Sequence, residues 1–492
     1  MSSKAPVDAL GSSSIKDVLD GARMKHSTQE VLPKENVMHG SLHHQENDSQ
    51  SSSEKDAIYT PHPTFRQALR FWLKLGFISF GGPTGQIAIM QQELVERRKW
   101  VSIERFLNAL NYCMLLPGPE AQQLAIYIGW LLHKIPGGVM AGAFFVIPSM
   151  FVLFALSYIY VAYGEVSWVA SIFSGLKPAV MAIVAAAVIK IGKKALKNRV
   201  MIAIAALSFV AIFFFKIPFP VIVIGAGVVG FAGNLLWPDP FDVVKAKGDG
   251  HTETGVVQIC EDPLLCHINP SARRDMVIVI VFMLLWAAPM AILYALSSVP
   301  VFFTEGLFFT KAAFLTFGGA YAVLAYIAQA GVEQYAWLTG SQMMDGLGLA
   351  ETTPGPLIMV VQFIGFMAGW NYPGALSPLG GAILGSLVAT YFTFLPCFLF
   401  IFLGAPYIEK LRGNKKLSAA LSSITAAVVG VVLNLAAWFG THVLFPEGAT
   451  LNIFGAAVGL ASFVAIQFFG LSIVIVILAA GAVGLMRGLV IP

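Results

Sequence analysis

The sequence predicts an all-α polytopic membrane protein with two inverted-topology repeats, whose broken, re-entrant helices meet at mid-membrane. Three observations predict this fold: an apolar composition, a motif that occurs twice at one fixed offset, and a contrast in charge between the two copies. Hydrophobic residues make up 57% of the 492 residues, charged residues make up 12%, and the mean hydropathy is +0.74. A soluble domain with a solvated surface does not reach these values. We therefore expect about 13 hydrophobic segments in a lipid bilayer.

The repeated motif is a lysine, a Phe-Gly-Gly triplet, a tryptophan and a Pro-Gly-Pro triplet, and its two copies lie 237 positions apart. The copies are Lys74, Phe80-Gly81-Gly82, Trp100 and Pro117-Gly118-Pro119, and then Lys311, Phe317-Gly318-Gly319, Trp337 and Pro354-Gly355-Pro356. Glycine beside proline inside an apolar segment stops a helix and frees backbone groups at membrane depth. Such a break is stable only where it lines a cavity or packs against protein.

The first copy is basic and the second is not. Arg97, Arg98, Lys99 and Arg105 in the first copy correspond to Gln334, Tyr335, Ala336 and Gln342 in the second. Because basic residues concentrate on the cytoplasmic side, this contrast favours broken segments that enter and leave on one side, with the amino terminus inside and the carboxyl terminus outside. Bent helices that cross the bilayer are the alternative, and they would put the basic residues of the first copy outside.

Five regions are expected along the chain. They are a disordered polar tail (1–62), a first repeat (63–236), a cytoplasmic polar loop (237–275), a linking transmembrane helix (276–297) and a second, inverted repeat (298–492). The tail lacks the apolar core of a secretory signal. The loop holds Cys260, Cys266 and His267, but their spacing is not that of a zinc site, and an ordinary loop without metal is expected.

The four breaks are the predicted site, because converging amino-terminal ends of half-helices attract an anion. Close helix packing at small residues is the alternative reading of the same breaks. The candidate substrate-binding residues are Lys74, Gly81, Gly82, Pro83, Gln86, Pro117, Gly118, Pro119, Gln122, Gln123, Lys311, Gly318, Gly319, Pro354, Gly355 and Pro356.

Charged residues near the breaks have two readings each. Lys74 and Lys311 are placed to hold a divalent oxyanion in turn, or they extend to the membrane interface. Glu120, in the first turn after Pro119, is a candidate proton-coupling group, or an acid that stabilises the helix end. Its counterpart is Leu357, so a coupling role is asymmetric. Lys177, before Pro178, is a further candidate, with a packing kink as the alternative.

An inverted pair of repeats with broken helices is typical of secondary transporters. No catalytic motif of a hydrolase or metalloprotease is evident, so an enzyme is not expected, and neither a cofactor nor a nucleic-acid partner is implied. An anion channel is the alternative, because the same helix ends could line a pore. Since one chain holds both repeats, a homodimer is an addition rather than a requirement.

Two stretches closely resemble the long-chain, two-domain form of the chromate ion transporter family. They are Phe80-Gly-Gly-Pro-Thr-Gly-Gln-Ile-Ala and the run from Asn111 to Trp130, which includes Pro-Gly-Pro-Glu-Ala-Gln-Gln. The second half, with Thr316-Phe-Gly-Gly-Ala-Tyr321, Thr353-Pro-Gly-Pro356 and the run Ile424–Asn434, resembles the carboxyl-terminal domain of that family. The likeness covers about 65–490.

The resemblance implies a carrier in the plasma or inner membrane. Such a carrier exports chromate from the cytoplasm, is driven by the proton-motive force and gives chromate resistance. Sulfate, a similar tetrahedral dianion, is the alternative substrate, because charge and shape hardly distinguish the two ions.

Overall fold

Every element in the described part of the chain is helical, which confirms the predicted all-α class. The computed structural model describes residues 62–241, 270–295, 300–407, 415–446 and 450–490. The predicted tail, except for His62, and most of the predicted polar loop lie outside these ranges. Cys260, Cys266 and His267 lie outside them as well. Cys113 and Cys397 are buried free thiols.

Eight described helices lie between residues 62 and 241, and the last of them is at the start of the polar loop. They are α1 (Phe65–Ile78), α2 (Gly82–Gln91), α3 (Ile103–Cys113), α4 (Glu120–Tyr163), α5 (Ser167–Ala195), α6 (Arg199–Phe213), α7 (Phe219–Leu236) and the short α8 (Pro238–Phe241). A π-helical turn, Gln92–Arg97, follows α2 directly.

The remaining described helices follow that loop. They are α9 (Ala272–Ala295), α10 (Pro300–Phe314), α11 (Ala320–Gln329), α12 (Gly340–Thr352), α13 (Val360–Asn371), α14 (Pro378–Gly404), α15 (Lys415–Leu444), α16 (Ile453–Gln467) and α17 (Ile473–Val490). A second π-helical turn, Ala330–Gln334, follows α11, and single 3-10 turns, Leu357–Met359 and Ala405–Tyr407, lie before α13 and after α14.

The helix starts agree with the capping residues in the sequence. Thr64 caps α1 and Thr339 caps α12, each through a capping box with the glutamine three residues later. Ser102 caps α3 and lies 237 positions before Thr339. The half-helix α2 begins at Gly82, and Gly81 is its N-cap. Proline fits the first turn of a helix, because the N–H groups of that turn have no intrahelical acceptor. Pro83 therefore does not delay the start of α2.

Seven described helices are long and apolar enough to cross a bilayer, judged by length and composition. Their ranges are Glu120–Tyr163, Ser167–Ala195, Phe219–Leu236, Ala272–Ala295, Pro378–Tyr407, Lys415–Leu444 and Ile473–Val490. Three shorter apolar helices, Arg199–Phe213, Leu357–Asn371 and Ile453–Gln467, accompany them. The chain is thus suited to a multi-pass arrangement, while the count of 13 segments stays a prediction.

Helix α4 consists of two arms, because His133 and Lys134 have non-helical backbone angles. The arms pack closely, and a Cβ on Gly129 would overlap the carbonyl oxygen of Gly137. Helices α13 and α14 pack in the same way, since a Cβ on Gly365 would overlap the carbonyl oxygen of Gly385. Glycine at these positions lets the backbones approach closely, as is common between membrane helices.

The two halves of the chain are packed into each other. In the first half, α5, α6 and α7 contact α15 of the second half, and α5 also contacts α12, α16 and α17. In return, α14 contacts α4. The largest hydrophobic cluster draws buried residues from both halves, including Val180 and Val184 of α5 and Val428 and Val431 of α15. The breaks lie within this shared packing.

Candidate functional site

The Gly-Gly pairs at the breaks of both halves have positive φ angles. Gly81 and Gly82 have φ angles of 88° and 69°, and their counterparts Gly318 and Gly319 have φ angles of 78° and 99°. All four angles lie in the region that favours glycine, since a Cβ there meets the backbone. The likeness extends to Lys99 and Ala336, which are 237 positions apart and have φ angles of 53° and 50°.

Reciprocal hydrogen bonds join the breaks of the two halves. The N–H of Gly118 donates to the carbonyl oxygen of Thr316 at 2.8 Å, and the N–H of Gly355 donates to that of Ser79 at 2.8 Å. Each partner in the first bond lies 237 positions from its counterpart in the second. The Pro-Gly-Pro break of each half therefore binds the Gly-Gly break of the other, which satisfies backbone groups that the interrupted helices leave free.

There is no space for a side chain at either central glycine. A Cβ on Gly118, where φ is 127°, would lie 2.6 Å from Gln123 Nε2 and 3.1 Å from Cys397 Sγ. A Cβ on Gly355, where φ is 98°, would lie 2.8 Å from the Cβ and 3.1 Å from the Oγ of Ser149. Ser149 on α4 and Cys397 on α14 thus occupy matching places opposite the two glycines.

The predicted amide donors are buried and bound to backbone carbonyls. Gln86 Nε2 donates to the carbonyl oxygens of Gly355 at 2.5 Å and Ser79 at 3.2 Å. Gln123 Nε2 donates to Pro117 at 2.6 Å, while Gln122 reaches Gly142 in the other arm of α4 at 3.5 Å. The amide donors thus stabilise the breaks, and Gln86, which donates two hydrogen bonds to backbone carbonyls, must exchange one of them to bind an ion.

The two predicted lysines are exposed side chains near the carboxyl ends of their helices. Lys74 lies on α1 and Lys311 lies on α10, at equivalent positions ahead of the Gly-Gly breaks. Among the described residues, neither lysine has a hydrogen bond or an ion pair. Both ammonium groups are therefore available to a ligand or to the interface.

Glu120 is half-buried in the first turn of α4, with Pro119 as the helix cap. The positive charge of Lys194 on α5 acts on the Glu120 carboxylate, which also lies within electrostatic range of the Cys113 thiol. The break thus has an acid beside a base on a neighbouring helix.

Two buried acids, Asp345 and Glu351, lie on α12, and neither is among the site residues that the sequence predicts. Asp345 is 2% exposed and Glu351 is 7% exposed. Asp345 Oδ2 accepts a hydrogen bond from the Tyr160 hydroxyl at 3.0 Å and lies 3.5 Å from Lys177 Nζ. Their position inside an apolar segment was the available signal, because ionisable residues there are rarely solvated.

Glu351 and Lys190 make further polar contacts, with residues of the half-helices that follow the Gly-Gly breaks. The hydroxyl of Tyr321 donates to Glu351 Oε1 at 2.6 Å, and Lys190 Nζ donates to the hydroxyl of Thr84 at 3.2 Å. Lys190 is not among the site residues that the sequence predicts. Cationic side chains and backbone dipoles around a break can stabilise a bound anion.

Comparisons with known proteins show which family the chain is similar to. The model of a family described as chromate transporter matches residues 66–231 and 303–485. A chromate transport protein of Cupriavidus metallidurans is 30% identical over 385 residues, which cover 76% of this chain and 82% of that protein. One from Pseudomonas aeruginosa is 30% identical over 439 residues, 86% of this chain and 92% of the relative. A probable chromate transport protein of Synechococcus elongatus is 26% identical over 381 residues, covering 77% and 86%. No solved structure matches significantly.

Proposed function

Because the chain belongs to the chromate transporter family, we propose that it is a secondary active carrier that transports chromate across a membrane. The observation that carries the proposal is the reciprocal pair of bonds from Gly118 to Thr316 and from Gly355 to Ser79. These bonds bring four helix interruptions together between two packed halves of an apolar chain. Substrate sites of secondary transporters are built in this way.

The carrier alternates access by exchanging the conformations of two inverted repeats, 63–236 and 298–492, which are joined by the polar loop and the linking helix. The matching backbone of the two breaks supports this mechanism, because equivalent segments can exchange conformations at little energetic cost. The amino terminus is cytoplasmic, and the carboxyl terminus is outside. A cysteine in place of Arg98 should react only with a cytoplasmic reagent, and labelling from outside would favour crossing helices.

The substrate lies at the breaks, in contact with the candidate binding residues and reached by Lys74 and Lys311 from their two sides. Lys311→Ala should reduce chromate transport more than Arg98→Ala does, because Arg98 is paired with Glu93 and stacked on aromatic rings. Equal, mild effects would remove Lys311 from the site.

Export is coupled to protons through Glu120. A carboxylate at this break repels a dianion unless it is protonated, and Lys194 is the charged group that acts on it. Glu120→Gln should abolish the dependence of transport on a pH gradient while some downhill flux remains. Unchanged pH dependence would reject the coupling role.

The direct test is chromate accumulation in sealed, everted membrane vesicles energised by respiration. Saturable accumulation that an uncoupler abolishes is expected for a proton-driven exporter. Excess sulfate should compete if both dianions use one site. Accumulation of sulfate alone would identify a sulfate carrier. If the chromate concentration inside the vesicles never rises above its electrochemical equilibrium value, the protein is an anion channel.

A further inference from the structure

A polar side-chain network lies beside the two Gly-Gly breaks, with one hydrogen bond in each half and an electrostatic interaction between them. Thr84, in the half-helix after the first break, accepts a hydrogen bond from Lys190 at 3.2 Å. Tyr321, in the half-helix after the second break, donates one to Glu351 at 2.6 Å. Thr84 and Tyr321 are equivalent positions, 237 residues apart. The same repeat position therefore binds the cation Lys190 in the first half and the anion Glu351 in the second.

The charged pair is not in direct contact. The charge of Lys190 acts on Glu351, yet the ammonium binds the Thr84 hydroxyl and the carboxylate binds the Tyr321 hydroxyl. Glu351 is 7% exposed, while Lys190 is exposed. A buried carboxylate is stable only near a compensating charge or donor. The exposed Lys190 can still accept a second anion, at the expense of its interaction with Glu351.

The surrounding charges favour this position for an anion. Lys194 lies one turn after Lys190 on α5, and its Nζ is 3.5 Å from Met114 Sδ. Met114 is the first-half counterpart of Glu351, so a neutral thioether stands where the second half has an acid. Two lysines thus face the first break. They are opposed by Glu351 from the second half and, while it is deprotonated, by Glu120 from the first.

We propose that Lys190 is a further substrate-binding residue and that Glu351 is an internal competitor, which compensates the Lys190 charge when no oxyanion is bound. This inference rests on the proposed function and deepens it. Electrostatic attraction scales with the product of the charges, so a dianion displaces Glu351 from Lys190 more readily than a monoanion does. The pair therefore favours divalent oxyanions such as chromate and sulfate over monovalent ions such as nitrate.

Transport kinetics of four variants test the inference in the same vesicles as the wild type. Lys190→Ala should raise the KM for chromate about tenfold or more, because a charge-assisted contact is lost, and Lys190→Arg should restore most of it. Glu351→Gln should lower the KM and weaken the discrimination between chromate and nitrate. Lys193→Ala, an exposed lysine on the same helix, is the matched control and should leave the KM unchanged.

A wild-type KM in Lys190→Ala would overturn the inference. A KM raised equally by Glu351→Gln and Lys190→Ala would do so too, because Glu351 would then only position Lys190. If Glu351→Gln does not fold, Thr84→Val replaces it. This variant should raise the KM less than Lys190→Ala does, and no change would count against the network.

A binding measurement separates this inference from the proposed function. A ligand that binds the folded protein raises its Tm, so chromate, sulfate and nitrate are each added to purified wild type and Lys190→Ala. If the wild type transports no chromate but dianions raise its Tm only when Lys190 is present, the proposed function fails and the anion site stands. If chromate is transported and Lys190→Ala keeps the full Tm shift, the site fails and the function stands.

Discussion

The first and second breaks share positive-φ glycines and reciprocal backbone hydrogen bonds, but they have different polar side chains. In the first half, Glu120, Gln122 and Gln123 follow the Pro-Gly-Pro triplet. In the second half, the corresponding residues are apolar, and the acids Asp345 and Glu351 come before the triplet instead. The reciprocal backbone hydrogen bonds show that the repeat is preserved at the contact between the halves. The chemistry is divided between them, so each half supplies groups that the other lacks.

The strongest test of the shared backbone is a methyl group at each central glycine. Gly118→Ala and Gly355→Ala should each lower the free energy of unfolding by about 2–5 kcal/mol, because the φ angle is left-handed and the Cβ overlaps a neighbour. Thermal and chemical unfolding in detergent micelles measure the change. Gly225→Ala, where the Cβ meets nothing within 4 Å, is the control. Tolerance at only one of the two glycines would break the equivalence of the halves.

The buried acids of the second half provide the next largest effect. Lys177→Ala should lower the free energy of unfolding by about 2–3 kcal/mol, because it leaves Asp345 with only the Tyr160 hydroxyl. The effect is reduced by the partial exposure of Lys177. Ser341→Ala removes only the 2.6 Å contact with Lys177 and should be nearly neutral. If both variants unfold at the same denaturant concentration, the ion pair contributes nothing.

The amides of the first half should matter less. Gln86→Val introduces the residue found at the equivalent position, Val323, and leaves the carbonyl oxygens of Ser79 and Gly355 without this donor. A loss of about 1–2 kcal/mol is expected from unfolding in micelles. Gln92→Val, at an exposed position of the adjoining π-helical turn, serves as the control. No loss in Gln86→Val would show that the asymmetry of side chains at this position is unimportant for stability.

The smallest effect is expected at the loop that follows each break. Arg98 lies 4.9 Å from the Trp100 ring centroid, whereas its counterpart Tyr335 stacks on Trp337 at 4.5 Å. Arg98→Ala should cost less than about 1 kcal/mol. Arg98→Tyr should recover that loss by reproducing the stack of the second half. A larger loss in Arg98→Tyr than in Arg98→Ala would show that the two loops are not interchangeable.

The stability of the first of these loops is expected to depend on pH, because Glu93 pairs with Arg98 there. Partial burial raises the pKa of Glu93, but hydrogen bonds and charges from Arg97 and Arg98 outweigh this effect and hold the pKa below its usual range. The lowered pKa means that stabilisation by this carboxylate is present above its ordinary pKa and is lost as the pH falls through the lowered value. Arg98→Ala should reduce that acid-induced loss of stability, which unfolding measured across acidic pH will detect.

Local signals in the sequence predicted the breaks. Glycine and proline restrict the backbone wherever they occur, so Gly81, Pro119 and their counterparts marked interruptions without knowledge of the packing. The network of Lys190 and Glu351 was missed, because it depends on α5 of one half lying against α12 of the other. Because Lys190 and Glu351 are 161 positions apart, no helix or strand periodicity in the sequence could reveal that they lie near each other.

The reciprocal bonds also constrain how the protein is made. Gly118 emerges from the ribosome almost 200 residues before its acceptor, Thr316. Ser79 precedes its donor, Gly355, by a still longer stretch of chain. The first half therefore enters the bilayer with its interrupted helices unpaired, although amino-terminal regions usually fold first during synthesis. Until the second half is inserted, water, lipid headgroups or insertion factors must occupy those backbone groups. Biogenesis, rather than the finished protein, is the stage at which the chain is most exposed to quality control.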